Sequence, residues 1–209
     1  MLVLIRRGLC CMRWLGKAPE FLKANKEKSL EGSSNSADRV VKQAHWGLPP
    51  PGLVKINFDG AFVQSLNVGG IVVAKSDDGS FLCAQACGSL EARSAIVMES
   101  LALRAGALLA KERGIRRVIF EGDAKGLIEV LNGKSTGCED IQLLVLDILQ
   151  PCRSSFDVFS FVFVGRTCNV VVHELAKKGC NVGNCLTLDS DSPSLVVGSC
   201  LYREKYSCT

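Results

Sequence analysis

Val54-Lys55-Ile56-Asn57-Phe58-Asp59-Gly60-Ala61-Phe62 alternates apolar and polar residues as far as Phe58. Val54, Ile56 and Phe58 share one face and Lys55 and Asn57 the other, which is the period of a half-buried strand. Asp59 continues the polar face, and Gly60 lets the backbone change course behind it. A carboxylate at the end of a central strand is placed to hold a cation. The structural alternative is a turn aspartate preceding glycine, so the neighbouring elements must discriminate.

Downstream, Gly69-Gly70-Ile71-Val72-Val73-Ala74-Lys75 and Phe81-Leu82-Cys83-Ala84-Gln85-Ala86-Cys87 flank Asp77-Asp78-Gly79. An Asp-Gly turn between two β-rich runs predicts a hairpin, so three antiparallel strands follow one another. Ser94 offers a cap for a helix running to about Arg113, with Gly114 as its stop. That helix is apolar through Ile96, Leu101, Leu103, Leu108 and Leu109, and Glu99 lies amid the apolar side. A carboxylate there is costly to desolvate unless it is paired or binds a metal. Arg117 to Glu121 reads as a short strand. Gly122-Asp123 opens a helix through about Leu131, where Asp123 is also a serviceable N-cap. Residues 139–150 form an amphipathic helix ended near Pro151, and Phe156 to Val164 reads as a last buried strand. Thr167-Cys168-Asn169 leads into a short helix from Val170 to about Lys178. The order βββαβααβα predicts a mixed α/β (α+β) sheet in which a parallel crossover joins an antiparallel meander, with helices on its faces.

A chain of 209 residues with 47% hydrophobic and 22% charged content is expected to fold as one globular domain with tails. Residues 1–45 show no sustained period, and Ser29 to Asp38 reads as a flexible linker. Trp46-Gly47-Leu48-Pro49-Pro50-Pro51-Gly52 forbids helix and should start the domain. The domain is expected over 46–180, followed by an irregular tail over 181–209 with at most a weak strand at Leu195-Val196-Val197. The first 45 residues carry nine Lys/Arg against four Asp/Glu, so the net +4 of the chain sits in this leader and the remainder is close to neutral. Basic attraction to nucleic acid therefore rests on the leader or on local patches.

The eleven cysteines include no CxxC pair and match no zinc spacing, and two histidines make a Cys/His zinc site improbable. An odd count and the lack of a secretory signal point to reduced thiols in an intracellular compartment. The Arg-bearing start, free of acids until Glu20, leaves an organelle transit peptide open. No run approaches the roughly 18 apolar residues that span a bilayer, so no membrane partner is expected.

Asp59, Glu99 and Asp123 come from three separate elements that a mixed sheet brings to one edge. Their mutual repulsion calls for a cation, and all-oxygen ligands select hard ions such as Mg²⁺ or Mn²⁺. Two such ions about 3.5–4 Å apart support phosphodiester hydrolysis.

Phe58-Asp59-Gly60-Ala61, Met98-Glu99-Ser100-Leu101-Ala102-Leu103, Phe120-Glu121-Gly122-Asp123 and Asn169 through Leu175-Ala176-Lys177 together resemble the type 1 ribonuclease H domain. More narrowly, the chain is similar to the plant RNase H-like group related to retrotransposon reverse transcriptases, over roughly residues 46–179. The resemblance implies a five-stranded mixed β-sheet flanked by helices, binding of RNA–DNA hybrid, and cleavage of the RNA strand with two Mg²⁺. Asp59, Glu99 and Asp123 match the family's first three metal-binding carboxylates. Two positions depart from the pattern. His173 stands four after Asn169, where the family has an acid, and a neutral imidazole is a poor Mg²⁺ ligand. Phe163 stands where active members carry a histidine before the Asn. Structurally, Phe163 reads as core, and His173 reads either as a packed side chain or as a fourth member of the metal-binding set with Asp59, Glu99 and Asp123.

Gly69 and Gly70 are candidate points of close approach to a nucleic-acid strand, or a bulge, and Asn169 joins them as a candidate substrate contact. Lys55, Lys75, Arg104 and Arg166 are candidate phosphate contacts, or solvated surface charges. Hybrid recognition would rest on shape and 2′-OH contacts. The alternatives to a hybrid-cleaving hydrolase are a catalytically weakened domain that binds nucleic acid or a protein partner, and a drifting remnant of a mobile element. A monomer is assumed.

Overall fold

The computed structural model describes residues 47–62, 70–75, 77–88, 92–179 and 186–190. The leader over 1–45, the linker, Gly69 and the stretch Leu195-Val196-Val197 lie outside the described residues. Strands β1 (Val54–Gly60), β2 (Gly70–Lys75) and β3 (Phe81–Ala86) form the expected meander. Gly79 takes a positive φ of 79° in the turn joining β2 to β3, and Asp78 Oδ1 accepts the Ser80 N–H at 2.8 Å.

Helix α1 (Ala95–Glu112) follows and stops at Gly114, whose φ of 67° is the left-handed conformation that glycine adopts without strain. Ser94 makes no side-chain cap, contrary to the expectation, and its buried hydroxyl has no hydrogen-bond partner. Strand β4 (Arg117–Gly122) pairs parallel with β1, as the crossover predicts. Then come α2 (Lys125–Leu131), α3 (Glu139–Ser155), β5 (Val158–Phe163), a 3₁₀ turn at Arg166–Cys168 and α4 (Val170–Gly179).

Helix α3 passes through Pro151 instead of ending there. A proline removes one helical hydrogen bond, but Ile148, Pro151 and Cys152 are all buried, so packing carries the helix one turn further.

The sheet order is β5-β4-β1-β2-β3-β6. The five expected strands are present, and a sixth, β6 (Leu186–Asp189), pairs antiparallel with β3 from within the stretch read as an irregular tail. Its four residues are too few to show a period. Strand β5 is an edge strand and not fully buried: its ends, Val158 and Phe163, are exposed, and Phe163 is 45% exposed, so it is not core.

The two faces of β1 meet different partners. Ile56 and Phe58 join Leu103, Leu109, Phe120, Leu127, Ile148 and Phe161 in the main core under α1, α2 and α3. Helix α4 covers the other face, where Val171, Val172, Leu175 and Ala176 pack with Ala84. Strand β1 is thus buried on both sides, and its polar alternation marks a sandwiched polar layer, not a solvated face. Among the described cysteines, Cys83, Cys138, Cys152 and Cys168 are free, while Cys87 is disulfide-bonded. The expectation of uniformly reduced thiols therefore fails at Cys87, because counts and spacings do not reveal which thiols fold together. Among the described residues, no helix is long and apolar enough to cross a membrane.

Candidate active site at the ends of β1 and β4

Parallel pairing of Val54–Asn57 with Val118–Glu121 brings the C-terminal ends of β1 and β4 side by side, carrying Asp59 and Asp123. Helix α1 crosses the end of β1 and adds Glu99. Contact there is close: a Cβ on Gly60 would lie 2.5 Å from the Met98 carbonyl carbon and 2.6 Å from the Glu99 nitrogen. Gly60 is thus required so that the α1 backbone can rest on the strand, not for a special φ. Its own N–H donates to Glu99 Oε2 at 3.2 Å and aims that carboxylate at the strand end. Gly122 has a parallel role, since a Cβ there would meet the Phe58 ring at 2.4 Å.

Asp59, Glu99 and Asp123 each place a carboxylate oxygen so that all three atoms lie within 4.8 Å of one another. Burial raises the Glu99 pKa to about 9, and the charges of Asp59 and Asp123 add to the rise. Burial and the Asp123 charge raise Asp59 to about 6, against a lowering contact from His173. Asp123 goes the other way. Burial pushes it up, but the hydrogen bond from Arg166 Nε to its Oδ2 at 2.9 Å and the contact with Asp59 hold it below the usual carboxylate value.

Asp123 does not cap α2. The N-cap of that helix is Ala124, without a side-chain cap bond, and the Asp123 side chain is only 6% exposed. Its Oδ1 is buried with no hydrogen-bond partner. Three converging carboxylates, two of them holding protons more tightly than usual, and an orphaned acceptor oxygen fit a hard divalent cation.

His173, on the first turn of α4, brings Nδ1 to 3.1 Å from Asp59 Oδ2. His173 is thus packed against the carboxylate cluster. Asn169 sets that position. Its Nδ2 donates to the Phe58 carbonyl at 2.9 Å, its Oδ1 accepts from Asn57 Nδ2 at 3.3 Å, and its carbonyl accepts the His173 N–H at 3.0 Å. Asn169 is 1% exposed, and its side chain positions α4 against β1.

Lys55 is likewise no phosphate contact. It is buried beside Asn57, with Nζ 2.8 Å from Glu121 Oε1 and donating to the Gly47 carbonyl. Asn57 Nδ2 also donates to Glu121 Oε2 at 3.3 Å. Sequence reading missed Glu121, because its partner Lys55 is 66 positions away and only the strand register brings the two together. Arg104 pairs with Asp147 of α3 at 3.3 Å, away from the carboxylates. Arg166 is the basic candidate that does reach the site: it is 67% exposed and joined to Asp123. Gly70 pairs with Gly60, which sets its backbone at the same end of the sheet. The Lys75 side chain lies outside the described residues.

The architecture has solved counterparts. It is similar to RNase H1 from the halophilic archaeon Halobacterium salinarum (24% identity, TM-score 0.54, covering 61% of this chain and 96% of that one). It is also similar to an N-terminal RNase H domain from Mycobacterium tuberculosis, at 22% identity, TM-score 0.55, and coverage of 60% and 97%. A third is LC11-RNase H1, solved in complex with RNA/DNA hybrid, at 17% identity, TM-score 0.51, and coverage of 60% and 94%. At these identities the likeness establishes the fold. No curated protein sequence matches the chain significantly. The sequence does match the reverse transcriptase-like family over residues 57–179, a span from within β1 to the last residue of α4. The chain belongs to the reverse transcriptase-like family, and its described part is an RNase H-like domain.

Proposed function

We propose that this protein is a divalent-metal-dependent nuclease that cleaves the RNA strand of RNA–DNA hybrids. The observation that carries the reading is the convergence of Asp59, Glu99 and Asp123 within 4.8 Å around the orphaned Asp123 Oδ1. These three side chains would hold Mg²⁺ or Mn²⁺, two ions in the active state. The ions would supply charge neutralisation and an activated nucleophile for phosphodiester hydrolysis.

The protein's own residues set the stage. The Gly60 amide orients Glu99, the Asn169 anchor fixes α4 against the end of β1, and Arg166 keeps Asp123 ionised. The exposed edge of the Arg166 guanidinium offers itself to a backbone phosphate beside the carboxylates. The glycine backbone at Gly70 permits a strand to approach closely. Within the family, the resemblance carried by the motifs over residues 58–61, 98–103, 120–123 and 169–177 favours the plant RNase H-like group related to retrotransposon reverse transcriptases.

A second reading is a weakened domain that binds hybrid without turning it over. It is favoured by His173 in place of a fourth acid and by Phe163 in place of a proton-carrying histidine. The test is incubation of the full chain with labelled RNA–DNA hybrid, double-stranded DNA and double-stranded RNA in Mg²⁺ or Mn²⁺, beside Asp59→Asn. Cleavage confined to the RNA of the hybrid and abolished in the variant is expected. Retained, salt-sensitive hybrid binding without cleavage would move the assignment to the second reading.

A further inference from the structure

We propose that His173 is a nitrogen ligand of this centre and makes it selective for ions that accept imidazole, Mn²⁺ among them, over Mg²⁺. The inference rests on the reading that Asp59, Glu99 and Asp123 bind a cation. It goes further by assigning a fourth donor and the ion class that the donor selects.

His173 is built into the site. Its ring nitrogen Nδ1 faces Asp59 Oδ2 at 3.1 Å, so an ion held through that oxygen can be shared with the imidazole at the Asp59 side of the three-carboxylate cluster. Its place is fixed by buried bonds: Asn169 is tied to the Phe58 carbonyl of β1 at 2.9 Å, and the Asn169 carbonyl takes the His173 N–H at 3.0 Å. Four residues before Asp123 reaches the same site, Ile119 is paired within the sheet, so both walls of the site stand on regular structure. The remaining acceptor, Asp123 Oδ1, is buried without a hydrogen-bond partner and open to a cation, while Asp123 Oδ2 is already committed to Arg166. Three carboxylates, one of them paired to a guanidinium, offer less negative charge than four free ones. Mg²⁺ depends on that charge and on oxygen donors. Replacing an oxygen donor by imidazole shifts preference toward Mn²⁺ and the later divalent metals, which bind nitrogen increasingly well. The competing role is a hydrogen bond from the ring to Asp59, which positions the carboxylate and leaves the choice of ion unchanged.

Electron-spin-echo spectroscopy of Mn²⁺ bound to the full chain separates these roles, because a directly coordinated imidazole nitrogen modulates the echo. Only two histidines, His45 and His173, occur in the sequence. The expected result is ¹⁴N coupling in the wild type that is lost in His173→Ala. Competition titrations should show the Mn²⁺-over-Mg²⁺ affinity ratio falling by about tenfold or more in His173→Ala and in His173→Asp. His173→Asp restores an all-oxygen set and should gain Mg²⁺ affinity, a result that general damage to the fold would not produce. Bound Mn²⁺ with no ¹⁴N coupling and an unchanged ratio would overturn the inference while leaving the carboxylate site standing. Absence of any bound Mn²⁺ in the wild type would overturn the cation reading beneath it as well.

Discussion

Replacing Glu99 with glutamine should flatten the pH dependence of stability of the metal-free protein between pH 6 and pH 8.5. Glu99 is raised in the folded state to about 9 from an ordinary 4.5. Such a group contributes stability that is fully present below pH 4.5 and is lost as the pH climbs toward 9. Asp59, raised to about 6, is half titrated at the start of the window and completes most of its change within about one pH unit, and Asp123 is lowered and acts in acid, with the opposite sign. Above about pH 7, Glu99 is therefore the carboxylate of the site that sets the slope, because it keeps its proton in the folded state and has lost it in the unfolded one. At about 1.4 kcal/mol per pH unit, the wild type loses up to about 3 kcal/mol over the window. That corresponds to about 10 °C in Tm. Glutamine keeps an acceptor for the Gly60 N–H and carries no charge at any pH, so the variant should lose little of this. The assay is thermal unfolding of both proteins in EDTA at several pH values, with the difference between the two curves as the readout. Parallel curves for wild type and Glu99→Gln would refute the reasoning. Saturating divalent ion should restore the wild type at high pH, by about 2.7 kcal/mol at a hundred times Kd, and leave Glu99→Gln largely unmoved.

Three further outcomes are expected. Gly60→Ala drives a methyl into the Met98–Glu99 backbone and should cost about 1–3 kcal/mol in urea unfolding, together with cation binding; unchanged binding would contradict the packing argument. Lys55→Met leaves Glu121 buried beside an apolar chain and should cost about 3–5 kcal/mol, most of it recovered in Lys55→Met/Glu121→Leu; a double variant no better than the single one would count against a paired buried charge. Asn169→Ala removes the donor to the buried Phe58 carbonyl and should cost about 1–3 kcal/mol, with faster amide exchange in α4; a loss below about 0.5 kcal/mol would mean that the anchor is dispensable.

The strands and helices were legible because their periods are local: the Val54–Phe58 alternation, the Asp77-Asp78-Gly79 turn and the apolar side of α1 each announce themselves within one element. Glu99 could be singled out for the same reason, as a carboxylate where burial makes charge costly. What escaped is long-range or too short. The Lys55–Glu121 pair depends on strand register, and the polar face of β1 was read as half-exposed because nothing in its own residues reveals that α4 covers it. Gly60 looked like a turn residue, since a helix backbone lying on it is invisible in sequence. Phe163 looked like core until the sheet order made β5 an edge. His173 could be flagged as a departure from a motif, but its approach to Asp59 follows only from the Asn169 anchor.

The central claim is that Asp59, Glu99 and Asp123 form a cation site, and anomalous diffraction from crystals of the full chain soaked in Mn²⁺ tests it most directly. The account predicts an anomalous peak among the three carboxylates within coordination distance of Asp123 Oδ1, absent in Asp123→Asn. A fully occupied Mn²⁺ elsewhere in the same crystals, with no peak between the ends of β1 and β4, would contradict it.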